Sequence, residues 1–258
     1  MKITILGSGS AYGIPMMFNA WGKANPNNPK NRRSRASILI EDKGKSILID
    51  AGPDLRNQIN DNNIKNIDSV FITHCHYDHV AGIPELPRAT KTLEHSIDIY
   101  ATSGTISELK KSYGYLFDEK AEAEPESKSI NWKTLPDKGK FTASGLEFET
   151  MLFPHHSIFS SAFRYKNFAY LTDWADFSPQ WEDFLRDLEV LIVECNNGTE
   201  YEDNGHSHLA NIIEIKQKVA PKKIILSHIS RRIDEESFSK LLPTNCEISY
   251  DGMKIELP

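Results

Sequence analysis

The chain has 258 residues, of which 39% are hydrophobic and 26% charged, a composition typical of folded globular proteins rather than of disordered chains. Thirty Lys and Arg against 36 Asp and Glu give a net charge of −6, so no global basic field exists to bind bulk nucleic acid. The length allows one large domain or two small ones. Because neither a composition break nor an internal repeat divides the sequence, we predict a single domain over residues 1–258.

Short apolar runs bounded by Gly, Pro, Asn and Asp recur along the whole chain, with amphipathic helical patterns between them, which predicts an α/β fold. The predicted strands are, in chain order, residues 2–6, 36–41, 46–50, 68–73, 97–101, 146–153, 160–165, 168–172, 189–194, 223–227 and 247–256, the last with a split at Asp251-Gly252. The predicted helices are residues 54–62, 104–117, 178–187, 208–219 and 234–241, the last with Asp234 as its N-cap. Residues 7–35 and 118–129 are predicted to be long loops, which are usually functional or disordered.

No apolar run approaches the roughly 18 residues that a membrane-spanning helix needs, so we expect no membrane partner. The N-terminal residues lack the apolar core and the small-residue cleavage site of a signal peptide. The three cysteines, Cys75, Cys195 and Cys246, are odd in number and widely spaced, which fits reduced thiols better than a disulfide framework. These features predict a cytoplasmic location.

The clearest chemical motif is Thr73-His74-Cys75-His76-Tyr77-Asp78-His79, which directly follows the apolar residues 70–72. A tight loop after a strand can point several side chains at one metal ion, and imidazole with carboxylate suits zinc, iron or manganese. The alternative is a solvated polar turn. With only nine histidines in the chain, this pattern seldom arises by chance, which favours the metal site.

Further His and Asp residues follow other predicted strands. His155 and His156 come after residues 151–154, Asp173 comes after residues 169–172, and His228 comes after residues 224–227. Open α/β sheets place their sites at the carboxyl ends of the strands. The same arrangement at several strand ends therefore favours one shared site over unrelated surface turns.

On these residues, together with Asp50 in Ile47-Leu48-Ile49-Asp50-Ala51-Gly52, the chain resembles the metallo-β-lactamase superfamily nearly end to end. The resemblance implies a four-layer αββα sandwich that carries two divalent metal ions, Mn or Zn. It implies that one ion is held by His74, His76 and His156. The other would be held by Asp78, His79 and His228, and Asp173 would bridge the two.

Either His155 or His156 fits the family position, and His156 is preferred because the small residue Ser157 follows it. Asp50 would not bind metal but would orient the histidine ligands, as such carboxylates do.

Residues 6–15 and the closing Ser249-Tyr250-Asp251-Gly252-Met253 are similar to one branch of the superfamily, which contains the accessory phosphodiesterase of carbon–phosphorus lyase pathways. This similarity implies a phosphodiesterase for a small cyclic or nucleotide-like phosphate, in which two cations activate a bridging water. It assigns catalysis to Asp78 and His206. His206 is the candidate general acid because an imidazole titrates near neutral pH, and the alternative is that it merely begins the next helix.

The chain departs from that branch at a structural zinc site. Residues 16–24 contain no cysteine, and Arg231 stands near the position of the zinc-binding histidine, so we expect no structural zinc. Residues 25–33 instead resemble a related branch of bacterial hydrolases with unsettled substrates. The run Arg32-Arg33-Ser34-Arg35 fits either a phosphate clamp or a solvated or interface-forming charge run.

Three alternatives stay open beside the phosphodiesterase. A tRNA 3′-processing endonuclease is disfavoured by the net charge of −6 and the lack of a long basic arm. A thioester or lactam hydrolase would share the histidine cluster, although Asp173 stands where the common zinc β-lactamases have a cysteine. The third is a non-catalytic accessory protein of cofactor biosynthesis. We expect a small phosphorylated substrate as the partner; a homodimer is compatible with the sequence, which does not fix the oligomeric state.

Overall fold

The computed structural model of the protein describes residues 1–117, 129–200 and 205–258. Its strands are β1 (Lys2–Gly7), β2 (Ser37–Asp42), β3 (Lys45–Ile49), β4 (Ser69–Phe71), β5 (Ile97–Thr102), β6 (Ile130–Leu135), β7 (Lys138–Ala143), β8 (Leu146–His155), β9 (Ile158–Tyr165), β10 (Phe168–Leu171), β11 (Val190–Glu194), β12 (Lys223–Ser227), β13 (Cys246–Ile248) and β14 (Lys254–Glu256). Its α-helices are α1 (Leu55–Asp61), α2 (Tyr77–Val80), α3 (Leu86–Leu93), α4 (Ser103–Ser112), α5 (Glu182–Leu185), α6 (Leu209–Val219) and α7 (Glu235–Ser239). The loop predicted at residues 118–129 lies almost entirely outside the described residues.

The strands form two seven-stranded sheets, one in the order β14-β1-β2-β3-β4-β5-β6 and the other in the order β13-β12-β11-β10-β9-β8-β7. Strands β3 to β6 run parallel in the first sheet, and β10 to β13 run parallel in the second. The remaining neighbours are antiparallel. Each sheet therefore has a parallel half, whose strand ends can share one site.

The core shows why the sheets stack as they do. Ile38 and Ile40 of β2 pack between the two sheets with Phe71, Phe163 and other inward side chains. Leu39 of the same strand points the other way, into the layer that contains helices α1 and α4. A third core cluster lies between the second sheet and helices α5, α6 and α7. Because both faces of the central strands are buried, those strands are nearly continuous apolar runs, and the fold is the expected four-layer αββα sandwich.

Most predicted elements are confirmed within a few residues, including Asp234 as the N-cap of α7, where its side chain accepts from the Ser237 N–H (3.0 Å). The predicted strand 247–256 is divided at Asp251-Gly252 into β13 and β14, which lie in different sheets. Strands β6 and β7 and helices α2 and α3 were not predicted. No helix in the described ranges is both long enough and apolar enough to cross a bilayer.

The arginine run after the first loop joins distant parts of the chain. The buried Arg33 guanidinium donates to Ser8 Oγ (2.8 Å) and to the Ser249 carbonyl, and burial lowers the pKa of Arg33 to about 10 despite the nearby Asp251. Arg35 forms an ion pair with Asp54 (3.1 Å). These contacts favour a tethering role over both a phosphate clamp and a solvated charge run.

Candidate metal centre

The candidate site lies where the parallel strands of both sheets end. In the first sheet, Asp50 follows β3, and the loop from His74 to His79 follows β4. In the second sheet, Asp173 follows β10, Glu194 ends β11 and His228 follows β12. The antiparallel strand β8 contributes its last residue, His155. The sandwich thus brings together side chains that lie far apart in sequence.

Three histidines form a first group of donor atoms. His74 Nε2 lies 2.9 Å from His76 Nδ1, and His155 Nε2 lies 3.3 Å from the same atom. Burial lowers the pKa of all three imidazoles. They are therefore neutral near pH 7, which is the form that binds a metal ion.

A second group combines Asp78, His79 and His228. Asp78 Oδ2 lies 3.1 Å from His79 Nε2 and 3.3 Å from His228 Nε2. Burial raises the pKa of Asp78, but the facing His79 and His228 outweigh burial and hold that pKa well below its usual range. His79 Nε2 is buried and, although carboxylate oxygens lie close to it, makes no hydrogen bond of good geometry within the described part of the chain, as expected of an atom whose natural partner is a metal ion.

Asp173 links the two groups through its two carboxylate oxygens. Its Oδ1 lies 3.6 Å from His155 Nε2, and its Oδ2 lies 3.2 Å from His79 Nε2 and 3.6 Å from His228 Nε2. Burial raises the pKa of Asp173, but the facing His228 and His79 lower it by more than burial raises it. The net pKa is well below the ordinary value, so this carboxylate is ionised. The donor set fits two adjacent divalent ions with Asp173 between them, and mixed imidazole and carboxylate ligation accepts either Mn or Zn.

A layer of hydrogen bonds orients these donors. Asp50 accepts from His79 Nδ1 (2.7 Å), and the Thr73 hydroxyl contacts His74 Nδ1 (3.0 Å). His155 Nδ1 donates to the Gly205 carbonyl (2.7 Å). In each case the contact occupies Nδ1 and leaves Nε2 for the site. The orienting role expected of Asp50 fits this geometry.

The structure places His155, rather than the preferred His156, with His74 and His76. The His155 side chain is only 1% exposed, whereas His156 is exposed and its ring lies 5.4 Å from the His206 ring. His156 shares a looser donor group with His155 and His206 but is not in the group of His74 and His76. The reason is the strand period of two: β8 continues to residue 155, so His155 lies on the same face as the buried Met151 and Phe153.

His206 lies beside the cluster, with Nδ1 hydrogen-bonded to Glu194 Oε1 and 3.7 Å from Asp173 Oδ1. Burial lowers the pKa of His206, but the Glu194 carboxylate outweighs burial and raises it above the ordinary value. The helix that follows begins at Leu209 with His208 as its N-cap, so His206 is not the residue that begins it. The contact with Glu194 leaves Nε2 of His206 as the nitrogen that can meet a substrate.

Glu194 is a residue of the site that was not predicted from the sequence. This fully buried carboxylate also accepts from the Trp174 N–H (2.9 Å) and lies 3.5 Å from His228 Nδ1. Burial raises the pKa of Glu194, but the neighbouring His206 lowers it by more, so the pKa of this carboxyl is below its ordinary value. The signal was available, because Glu194 ends the apolar run 190–193 just as Asp173 ends the run 169–172 on the neighbouring parallel strand.

Several of the strand-end residues have a left-handed backbone conformation. The φ angles are 64° at Asp50, 55° at Asp173 and 53° at His228. This region is uncommon for residues other than glycine, although Asp, Asn and His enter it more readily than most. At all three positions the chain turns sharply where a strand ends and a polar side chain enters the site.

Comparison with known proteins agrees with this architecture. A ribonuclease Z of Pyrobaculum aerophilum is 25% identical over 92% of this chain and 89% of its own. An octanoyltransferase of Porphyromonas gingivalis is 25% identical over 98% of this chain, but this chain spans only 51% of that relative. A solved diphosphatase from the PhnP family has a TM-score of 0.89 and 26% identity, with coverage of 100% of this chain and 98% of the other. PqqB from Methylobacterium extorquens has a TM-score of 0.78 over 100% of both chains at 18% identity, which supports the fold alone.

A family model, the β-lactamase superfamily domain, matches residues 45–229, which is well over half of the chain. The matched segment runs from β3 to the residue after His228 and so contains the complete candidate cluster. The chain belongs to the metallo-β-lactamase superfamily of hydrolases.

Proposed function

We propose that the protein is a phosphodiesterase that uses two divalent metal ions, Mn or Zn, to hydrolyse small phosphorylated substrates. The observation that carries the proposal is the divided contact of Asp173, whose two oxygens face two separate sets of histidine donors. When bound, a pair of ions would activate water and polarise the phosphoryl oxygens. The solved diphosphatase and the ribonuclease Z relatives support phosphate-ester chemistry over thioester or lactam hydrolysis.

The residues of the chain contribute charge and proton transfer. Asp78 and Asp173 are ionised and would balance the positive charge of the ions, while burial lowers the pKa of His74, His76 and His155 and keeps these three imidazoles neutral. As water attacks phosphorus, the bond from phosphorus to the leaving oxygen breaks. Protonated His206 donates its Nε2 proton to that oxygen, and Glu194 stabilises the imidazolium beforehand.

The test uses protein stripped of metal and reloaded with Mn²⁺ or Zn²⁺, with bis(p-nitrophenyl) phosphate as the substrate. We expect turnover only with metal, two ions per chain, and loss of turnover in Asp78→Ala. His206→Ala should lower the rate by roughly 10²- to 10⁴-fold for diesters with alkoxide leaving groups, and much less for p-nitrophenolate, which needs little protonation.

The matched control is His95→Ala, because His95 is an exposed histidine that contacts Asn66 and Ser96 away from the cluster. This variant should keep full activity and both ions. Two bound ions without turnover of any diester would refute the proposal and point to the thioester or accessory alternatives. Cleavage of a tRNA precursor in preference to small diesters would instead favour the endonuclease.

A further inference from the structure

Two cavities border the metal-ligand cluster at different residues. The first, here called the basic cavity, has a volume of 460 Å³ and is lined by His206, Asn196, Tyr12, Lys23, Arg231 and Arg232, among others. The second, here called the acidic cavity, has a volume of 400 Å³ and is lined by His74, Cys75, Glu108, Asp137, Leu152 and Phe159, among others. A phosphodiester whose phosphorus sits at the cluster has two ester groups, and each cavity is large enough to receive one.

The charges of the two cavities are opposite. Among the described residues that line the basic cavity, three are cations and none is a carboxylate. Among those that line the acidic cavity, two are carboxylates, of which Glu108 forms an ion pair with Lys111, and none is a cation. An unsymmetrical substrate with one anionic ester group would therefore bind in one orientation, with that group in the basic cavity.

Arg231 is the cation best placed to recognise an anion. Lys23 forms an ion pair with Glu200, and Arg232 donates to Asn197 Oδ1 (3.2 Å). No ion pair joins Arg231 to any carboxylate of the described ranges. A guanidinium that lacks such a partner can form a bidentate pair with a phosphate.

The backbone of Arg231 is held in place by the loop after β1. The Lys23 N–H donates to the Arg231 carbonyl (2.8 Å). Gly22 packs so closely that a Cβ there would lie 2.5 Å from the Arg231 carbonyl oxygen and 2.9 Å from its Cγ. This contact fixes where the arginine stem leaves the backbone, which reduces the entropy lost on binding.

Taking the proposed phosphodiesterase as its basis, we propose that the substrate is an unsymmetrical phosphodiester whose leaving group carries a second phosphate, which Arg231 binds in the basic cavity. The group that stays on the reacting phosphorus is uncharged and apolar, and it occupies the acidic cavity against Leu152 and the exposed Phe159. The leaving group is assigned to the basic cavity because His206, the proton donor, lines that cavity.

The reaction so oriented has a defined outcome. Water adds its oxygen to phosphorus, and the bond from phosphorus to the phosphorylated alkoxide breaks. His206 supplies the proton that turns this alkoxide into an alcohol. The products are a monoester of the apolar alcohol and a phosphorylated alcohol.

The test compares two synthetic diesters that share a benzyl group, namely benzyl 3-phosphooxypropyl phosphate and benzyl propyl phosphate. The two alkoxides have similar basicity, so the bond that breaks reports orientation rather than leaving-group quality. We expect kcat/KM to be roughly tenfold or more higher for the phosphorylated diester, since a charge-assisted contact contributes on that order. The ³¹P NMR spectrum of the products should show benzyl phosphate and 3-phosphopropanol.

Arg231→Gln should remove most of the difference in kcat/KM between the two diesters. Arg186→Gln is the matched control, because Arg186 is an exposed arginine paired with Asp183 on another part of the surface, and it should leave that difference intact. Phe159→Ala should raise KM for both benzyl diesters.

Equal kcat/KM for the two diesters, or release of benzyl alcohol with propane-1,3-diol bisphosphate, would overturn the assigned orientation while leaving the phosphodiesterase in place. A loss in Arg231→Gln that is the same for both diesters would overturn the role of Arg231. Failure of the metal-loaded protein on bis(p-nitrophenyl) phosphate as well would refute the phosphodiesterase itself, and the orientation with it.

Discussion

The adjacent histidines on β8 provide a sharp test of the metal centre. His155 Nε2 lies in the group of His74 and His76 and faces Asp173 Oδ1, so four donor atoms surround the first position. His155→Ala leaves three of them. Even partners that only orient a ligand contribute 10- to 100-fold to metal affinity, so removal of a ligand should weaken the first ion by at least about 100-fold, or about 2.7 kcal/mol.

His156→Ala is the natural comparison, because it removes the same side chain one residue away from an exposed position. We expect it to change affinity for the first ion by less than about threefold. Both affinities can be measured by competition with a chromogenic chelator, and metal content per chain should fall from two ions to one in His155→Ala only. Thermal melts of the metal-free variants would show whether loss of the His155 contact with the Gly205 carbonyl disturbs the fold itself.

Loss of the first ion in His156→Ala, with both ions kept in His155→Ala, would refute the assignment of His155 as the ligand. That result would mean that β8 ends before residue 155 in solution and that His156 turns inward.

Three further predictions follow from single contacts. Glu194→Gln should lower turnover of alkyl diesters by roughly 10- to 100-fold. Because Glu194 raises the pKa of His206, the alkaline limb of the pH–rate profile should also move to lower pH; an unmoved limb would contradict this role. Asp42→Asn should lose about 1 kcal/mol of stability near neutral pH. Burial raises the pKa of Asp42, but hydrogen bonds from the Lys166 ammonium and the Tyr165 hydroxyl outweigh burial and lower that pKa to about 2. The difference in free energy of unfolding between wild type and Asp42→Asn, measured by chemical denaturation, should therefore vanish as the pH falls from about 4 through 2. Gly52→Ala should lower the melting temperature by several degrees, since its Cβ would lie 2.1 Å from the Asp78 carbonyl oxygen, and an unchanged melt would show that the helix carrying Asp78 can shift freely.

The sequence predicts the buried strands well because burial on both faces leaves an unmistakable apolar run. It fails at β6 and β7, which lie at the edges of the two sheets. Their outward residues are polar or exposed, as in Ile130–Leu135, where only the first and last side chains are buried. An edge strand is stabilised by its single neighbour, and that neighbour is not visible in local sequence.

The site was predicted to the extent that its residues follow strongly apolar strands. Asp173 and His228 do so, and the structure brings both to the cluster. The preference for His156 rested on the small residue Ser157 that follows it, whereas the face on which each histidine lies depends on where β8 ends, and a shift of one residue reverses that face. The predicted strand ends at residue 153, yet the β8–β9 pairing continues to His155 opposite Ile158.

The left-handed turns at Asp50, Asp173 and His228 give the protein a trade-off between stability and activity. A residue with a Cβ in this conformation costs on the order of 1 kcal/mol relative to glycine. The metal-free chain carries this cost at the ends of three strands, and ion binding offsets it through mass action. Glycine at Asp173 or His228 would relax the backbone and remove a ligand at the same time. A search for thermostable variants of the metal-free protein should therefore recover inactive ones at these positions, whereas the same search with metal present should reject them.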